Sequence, residues 1–137
     1  MNISSRCEYG FRAVLELASH DPTHEPLTGE TIAERRRIPH KFLVHILLQL
    51  KRAGIVRSVR GAKGGYLLVR SPEDISLLHI IEAIDGPILG SLPVRSSESA
   101  DLTTAWRTVR NDISEILSRV SIRDIMDGGP QQPMYYI

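Results

Sequence analysis

Apolar positions recur at helical spacing along most of this chain. Cys7, Phe11, Val14, Leu15 and Ala18 share one face at a 3.6-residue period, which predicts a first helix over 5–19. Ser5 and Glu8 stand at capping-box spacing at its start. The turn-rich stretch DPTHEP follows. Thr28 is placed to cap a short second helix, GETIAERRR, with Ile32 and Ala33 facing inward. Arg37, Ile38 and Pro39 form a turn, and Pro39 suits the first position of a third helix. That helix runs to Ala53 and stops at Gly54. Leu43, Ile46, Leu47 and Leu50 make its apolar stripe, while Lys41, Val44, His45, Leu48 and Gln49 occupy the opposite face. Two short strands, IVRSVR and YLLVR, are then joined across GAKGG, whose glycines make positive φ inexpensive. Ser76 caps a fourth helix with Leu77, Ile80, Ile81 and Ile84 inside and Gly86 at its end.

From Leu102 the period narrows. Leu102, Trp106, Val109, Ile113, Ile116 and Val120 follow a 3.5-residue seam, the pattern of a helix that packs along another helix. One long helix with one seam cannot make a core alone: it needs either the winged domain or its copy in a second subunit, and these six residues are the candidate dimerisation face. The expected fold is mainly α with a small β-hairpin wing: a winged helix-turn-helix plus a long dimerisation helix. The expected divisions are 1–86 for the winged domain, 87–101 for a linker, 102–127 for the long helix with a short closing helix, and 128–137 for a C-terminal tail.

Charge sharpens this picture. The chain is only +1 overall, yet residues 35–70 hold ten Lys or Arg and no Asp or Glu. A basic block of that purity suits a polyanion, because each neutralised phosphate releases a counterion. No apolar run is long enough to span a membrane. The opening MNISSRCEYG lacks the charged-then-apolar order of a signal peptide, so a cytoplasmic protein without membrane association is expected. One cysteine excludes an internal disulfide and a thiolate-rich metal site within one chain. Cys7 reads as a small buried thiol. Five scattered histidines show no metal-ligand spacing, and no nucleophile–base set stands out, so an enzyme is not expected.

In a helix-turn-helix the second helix of the motif reads base edges in the major groove. Its candidate contacts here are His40, Lys41, Val44, His45 and Gln49, with Thr28 from the cap of the preceding helix. Gln can bond adenine bidentately, and Lys reaches guanine or phosphate. Val44 and Leu48 either touch thymine methyls or pack on the first helix. In the wing, Arg60 is placed to enter a narrow minor groove, Gly61, Gly64 and Gly65 allow close backbone approach, and Lys63 would sit on phosphate.

The stretches ISSRCEYGFRAVLELA, TIAERRRIPHKFLVHILLQLKRAGIV, SVRGAKGGYLL and DISLLHIIEAIDGPI, with the long Trp-bearing helix after them, resemble the Rrf2 family of bacterial transcription regulators. The resemblance implies a homodimer on a near-palindromic double-stranded DNA operator. Many relatives bind an iron–sulfur cluster through three cysteines between the fourth and the long helix. Here 87–101 has none, so no cofactor and no cluster are expected. EAIDGPI, the Trp106 helix with its closing SIRDIM, and the last residues MYYI are similar to a cluster-free subgroup of cysteine-metabolism repressors that act with cysteine synthase. The resemblance therefore implies a repressor of cysteine or sulfur metabolism, with Met134, Tyr135, Tyr136 and Ile137 as a tail that either binds that enzyme or folds back onto its own dimer helices. Two alternatives stand beside it: a cluster-free regulator of a stress or redox response through Cys7, and a protein-interaction module without DNA binding.

Overall fold

The computed structural model describes residues 2–23, 25–90 and 100–129. Helix α1 spans Ser5–His20. Its cap is Ser4 rather than Ser5: Ser4 is extended, and its Oγ accepts from the Cys7 N–H at 3.0 Å. Glu8 pairs forward with Arg12 at 3.3 Å instead of closing a box. Cys7, Gly10, Ala13, Val14, Leu17 and Ala18 are buried, while Phe11 and Leu15 lie half-buried at the flank. A Cβ at Gly10 would stand 3.2 Å from the Ile84 side chain, so this glycine lets α1 approach the fourth helix closely.

Thr28 caps α2 (Gly29–Arg36) as expected, accepting from the Thr31 N–H at 3.1 Å. The helix ends at Arg37, whose φ of 53° is left-handed, and Ile38 turns into the core. Helix α3 spans His40–Arg52. Pro39 is its cap, not its first residue; the proline carbonyl takes the N–H groups of Phe42 and Leu43 at 3.0 and 3.1 Å. The stripe of Leu43, Ile46, Leu47 and Leu50 is buried.

Strands β1 (Val56–Val59) and β2 (Gly65–Leu68) pair antiparallel with Val56 opposite Leu68 and Val59 opposite Gly65. The segment before α2 adds a third partner that periodicity did not reveal. Leu27 exchanges two backbone hydrogen bonds with Tyr66, at 3.1 and 2.7 Å, and so pins the hairpin to the helix pair.

Helix α4 (Leu77–Asp85) begins at Ser76 with a reciprocal box in which the partner is an imidazole. The Ser76 hydroxyl accepts from the His79 N–H at 3.2 Å, and His79 Nδ1 accepts from the Ser76 N–H at 3.1 Å. Accepting requires the neutral ring. Burial, with the Arg70 charge second, holds the His79 pKa below its usual value against the opposing Glu82.

Helix α5 covers Ala100–Ser118 and α6 covers Ile122–Met126. Two expected divisions move. The first residues of the expected linker belong to the fold: Ile88 is buried, and the Leu89 carbonyl accepts from Arg110 of α5 at 3.0 Å. The closing helix also belongs to the winged domain. Ile122 is fully buried, its N–H donates to the Ile75 carbonyl at 2.8 Å, and the Val120 carbonyl accepts from Leu77 at 2.9 Å. Val120 therefore lies beyond α5 and leaves the expected seam. The seam also divides: Ile113 packs with Leu117 against the core, whereas Leu102, Trp106, Val109 and Ile116 stay 52, 39, 40 and 61% exposed. No residue of α5 is buried, so its apolar stripe is largely uncovered in the single chain. Among the described residues, no helix is long and apolar enough to cross a membrane.

Candidate nucleic-acid interface

The solvent face of α3 carries His40, Lys41, Val44, His45 and Leu48, all exposed. The buried stripe fixes this outcome, because every side chain off that stripe must face outward. Beside it a groove of about 280 Å³ opens between Thr28, Gly29 and Glu30 at the start of α2, His40 and Val44 of α3, and Tyr66 of β2. The expected residues Thr28, His40 and Val44 thus share one concavity at two helix N-termini, where backbone N–H groups favour anions. The acidic Glu30 on the same rim was not among the expected residues. The Lys41 ammonium lies over the Phe42 ring at 5.2 Å, and Phe42 stacks on Tyr9 of α1 at 5.9 Å, so Lys41 is exposed but partly steered.

Gln49, expected among the reading residues, is engaged within the fold. Its Oε1 accepts from Arg6 of α1 at 2.7 Å, and its Nε2 donates to the Ile84 carbonyl of α4 at 3.2 Å. Both ends of the amide are occupied, and they brace α3 against two helices. Gln49→Ala is expected to lower stability by about 1 kcal/mol through the lost hydrogen bonds. Base preference in selection from random duplexes should stay unchanged. A reading residue would give the reverse result, altered preference at full stability in denaturant titration.

The basic block also proves to be two populations. Arg36 Nε and Arg35 Nη1 bind the carboxylate of Glu16 at 2.9 and 3.2 Å, tying α2 to α1. Burial raises the pKa of that carboxyl, yet the hydrogen bonds from Arg36 and Arg35 outweigh it and hold the group below its usual range. The Arg35 guanidinium lies 2.5 Å from His20 Nε2. Since guanidinium only donates, that nitrogen accepts. Lys51 donates to the Ser58 hydroxyl at 3.0 Å, joining α3 to β1. Arg70 is half-buried, whereas Arg37, Arg52, Arg57, Arg60 and Lys63 are exposed and have no polar side-chain partner among the described residues. Arg37, held out by its left-handed turn, is the basic residue that the helical pattern alone did not single out.

In the wing, Gly61 is exposed with φ of 110° and open space around it. Arg60 and Lys63 flank the tip. Gly64 and Gly65 answer to a different constraint from the one expected. A Cβ at Gly64 would lie 2.3 Å from the Val59 oxygen, and one at Gly65 would lie 2.4 Å from the Leu27 oxygen. The close approach that excludes side chains there is to the protein's own backbone.

Cys7 is fully buried. Burial, then the Asp85 carboxylate beside it, pushes its pKa up to about 12. A neutral, enclosed thiol is a poor nucleophile, which removes the basis for redox sensing through Cys7. Asp85 itself accepts from Ser4 Oγ at 2.5 Å, locking the start of α1 to the end of α4.

A helix pair with a cationic hairpin is the geometry of a winged helix-turn-helix, and known proteins place it further. The Rrf2 model, described as an iron-dependent transcriptional regulator, matches residues 3–128. The chain belongs to the Rrf2 family. CymR, an HTH-type transcriptional regulator of Bacillus subtilis, is 31% identical over 140 residues, covering 100% of both chains. An rrf2-like HTH-type regulator of Rhodobacter capsulatus is 46% identical over 88 residues, which are 63% of this chain and 59% of that protein. The solved structure of CymR, the global cysteine regulator of B. subtilis, superposes with a TM-score of 0.78 at 28% identity, covering 95% of this chain and 99% of that one. That of T. potens IscR gives 0.71 at 33% identity, covering 99% and 97%. The winged-helix fold is thus that of Rrf2 proteins. Their members here are DNA-binding transcription regulators and not enzymes. Met134, Tyr135, Tyr136 and Ile137 lie outside the described residues.

Proposed function

We propose that this Rrf2 protein represses its targets as a homodimer that grips two operator half-sites about one helical turn apart. Helix α3 enters each major groove, and each wing lies at the adjoining minor groove. The observation that carries this reading is the pairing of two surfaces in one chain. One is an acid-free reading helix beside an unpaired cationic wing. The other is a long helix with four apolar side chains left uncovered.

The same reading assigns the regulator to cysteine and sulfur metabolism in the cytoplasm. Its support is the full-length likeness to CymR, the global cysteine regulator of B. subtilis. The family's described iron dependence does not suit the donors present. The sole cysteine is enclosed in the core, and the stretch SLPVRSSES over 91–99 holds neither cysteine nor histidine. No three His, Cys, Asp or Glu side chains gather among the described residues. In this reading sulfur status reaches the protein through a small metabolite or a partner protein, and cysteine synthase is the partner proposed. The segment assigned to that contact is Met134, Tyr135, Tyr136 and Ile137, whose two tyrosines and isoleucine are costly to leave in water.

Footprinting on its own upstream region and on sulfur-assimilation promoters, with and without cysteine synthase, tests the whole reading. Protection of none of these regions would overturn it. For the tail, calorimetry should show a peptide ending PMYYI binding cysteine synthase, and the same peptide without Ile137 failing to bind. Equal behaviour of the two peptides would remove the enzyme from the scheme and leave the DNA reading intact.

A further inference from the structure

The exposed face of α3 has a feature that phosphate binding does not use. Val44 and Leu48 stand one helical turn apart and are 58% and 42% exposed. Neither is buried against the first helix, the other outcome open to them. Their neighbours on this face are His40, Lys41 and His45, and no acidic residue occurs from 35 to 70. Two apolar side chains inside a positive field need a partner that is anionic overall and apolar at the point of contact. Duplex DNA meets both conditions in the major groove, where thymine alone among the four ordinary bases presents a methyl group. Loss of Gln49 to bracing strengthens the point, because it removes the amide that would have read adenine from this helix.

We infer that Val44 and Leu48 are specificity-determining residues that select thymine at two positions of each half-site by contact with its C5-methyl group. The inference rests on the DNA-binding reading above and names what that site recognises. Four residues of helix rise about 6 Å, and successive bases rise about 3.4 Å. The two selected thymines therefore lie within about two base steps of each other. Val44 also borders the groove with Thr28 and His40.

The test uses the full-length protein and the half-site defined by footprinting. Each thymine in turn is replaced by deoxyuridine, which deletes one methyl and leaves every hydrogen-bonding group in place. Wild-type protein should lose about three- to fivefold in affinity at two positions, the worth of one buried methyl group at each. Val44→Ala should bind more weakly and be indifferent to deoxyuridine at one of those positions, and Leu48→Ala at the other. Both side chains are exposed, so both variants should fold, with unchanged thermal midpoints. The deoxyuridine series on wild-type protein requires no variant at all. Uniform tolerance of deoxyuridine would overturn the inference, as would a methyl effect that persists undiminished in both alanine variants. Absence of any footprint is a separate outcome, which instead overturns the DNA-binding reading on which the inference stands.

Discussion

Ile116→Asp should turn the protein into a folded monomer and lower operator affinity about 10²–10⁴-fold, the gain that two linked half-site contacts supply. Ile116 is 61% exposed in the single chain, so a carboxylate there costs the monomer little. Between two α5 helices the same carboxylate would be buried without a partner, at several kcal/mol. Ile113→Asp is the informative contrast. Ile113 packs against the winged domain, so its replacement should destabilise the fold itself. Sedimentation with denaturant titration separates the two. A wild-type protein that sediments as a monomer at micromolar concentration would rule out the dimer. Trp106 and Val109, also exposed though less so, should follow Ile116 rather than Ile113.

Arg60→Ala is expected to weaken specific binding by about 1–3 kcal/mol, roughly five- to 150-fold, if the guanidinium occupies a narrow minor groove. Lys63→Ala should act differently. A phosphate contact carries no sequence information, so binding to all DNA should weaken alike and the salt slope should fall by about 1. Titrations of operator and unrelated duplex at several salt concentrations distinguish the two. If both variants behave as wild type, the wing is not a reading element. The structure sharpens the choice of targets, because Arg35 and Arg36 are held by Glu16 and make poor probes of DNA contact.

Much of the architecture was legible along the chain because burial and helical period are local properties. Leu43, Ile46, Leu47 and Leu50 form one stripe in any α-helix, and their burial could be read from spacing alone. The caps at Thr28 and Ser76 follow from residue type at a helix start. The wing follows from glycines between two short apolar runs, and the basic block from simple counting. The Rrf2 resemblance was likewise carried by contiguous motifs.

What escaped the sequence depended on partners distant in the chain. Gln49 looked like a base reader because it lies on the outward side of α3, yet α1 and α4 come close enough to occupy both ends of its amide. Ten cations looked like one surface until Glu16, about 20 residues away, took up two of them. Gly64 and Gly65 looked fitted to a ligand, but the Val59 and Leu27 carbonyls set their size limit. The 3.5-residue seam looked uniform, whereas docking of α5 on α4 turned Ile113 inward and left Ile116 outside. By itself the sequence determined which residues form each helix and hairpin, since those depend on neighbours three or four positions away. Only the tertiary structure decided which polar and apolar groups remain free to meet DNA or a second subunit. That depends on which donors, acceptors and surfaces the fold has already satisfied internally.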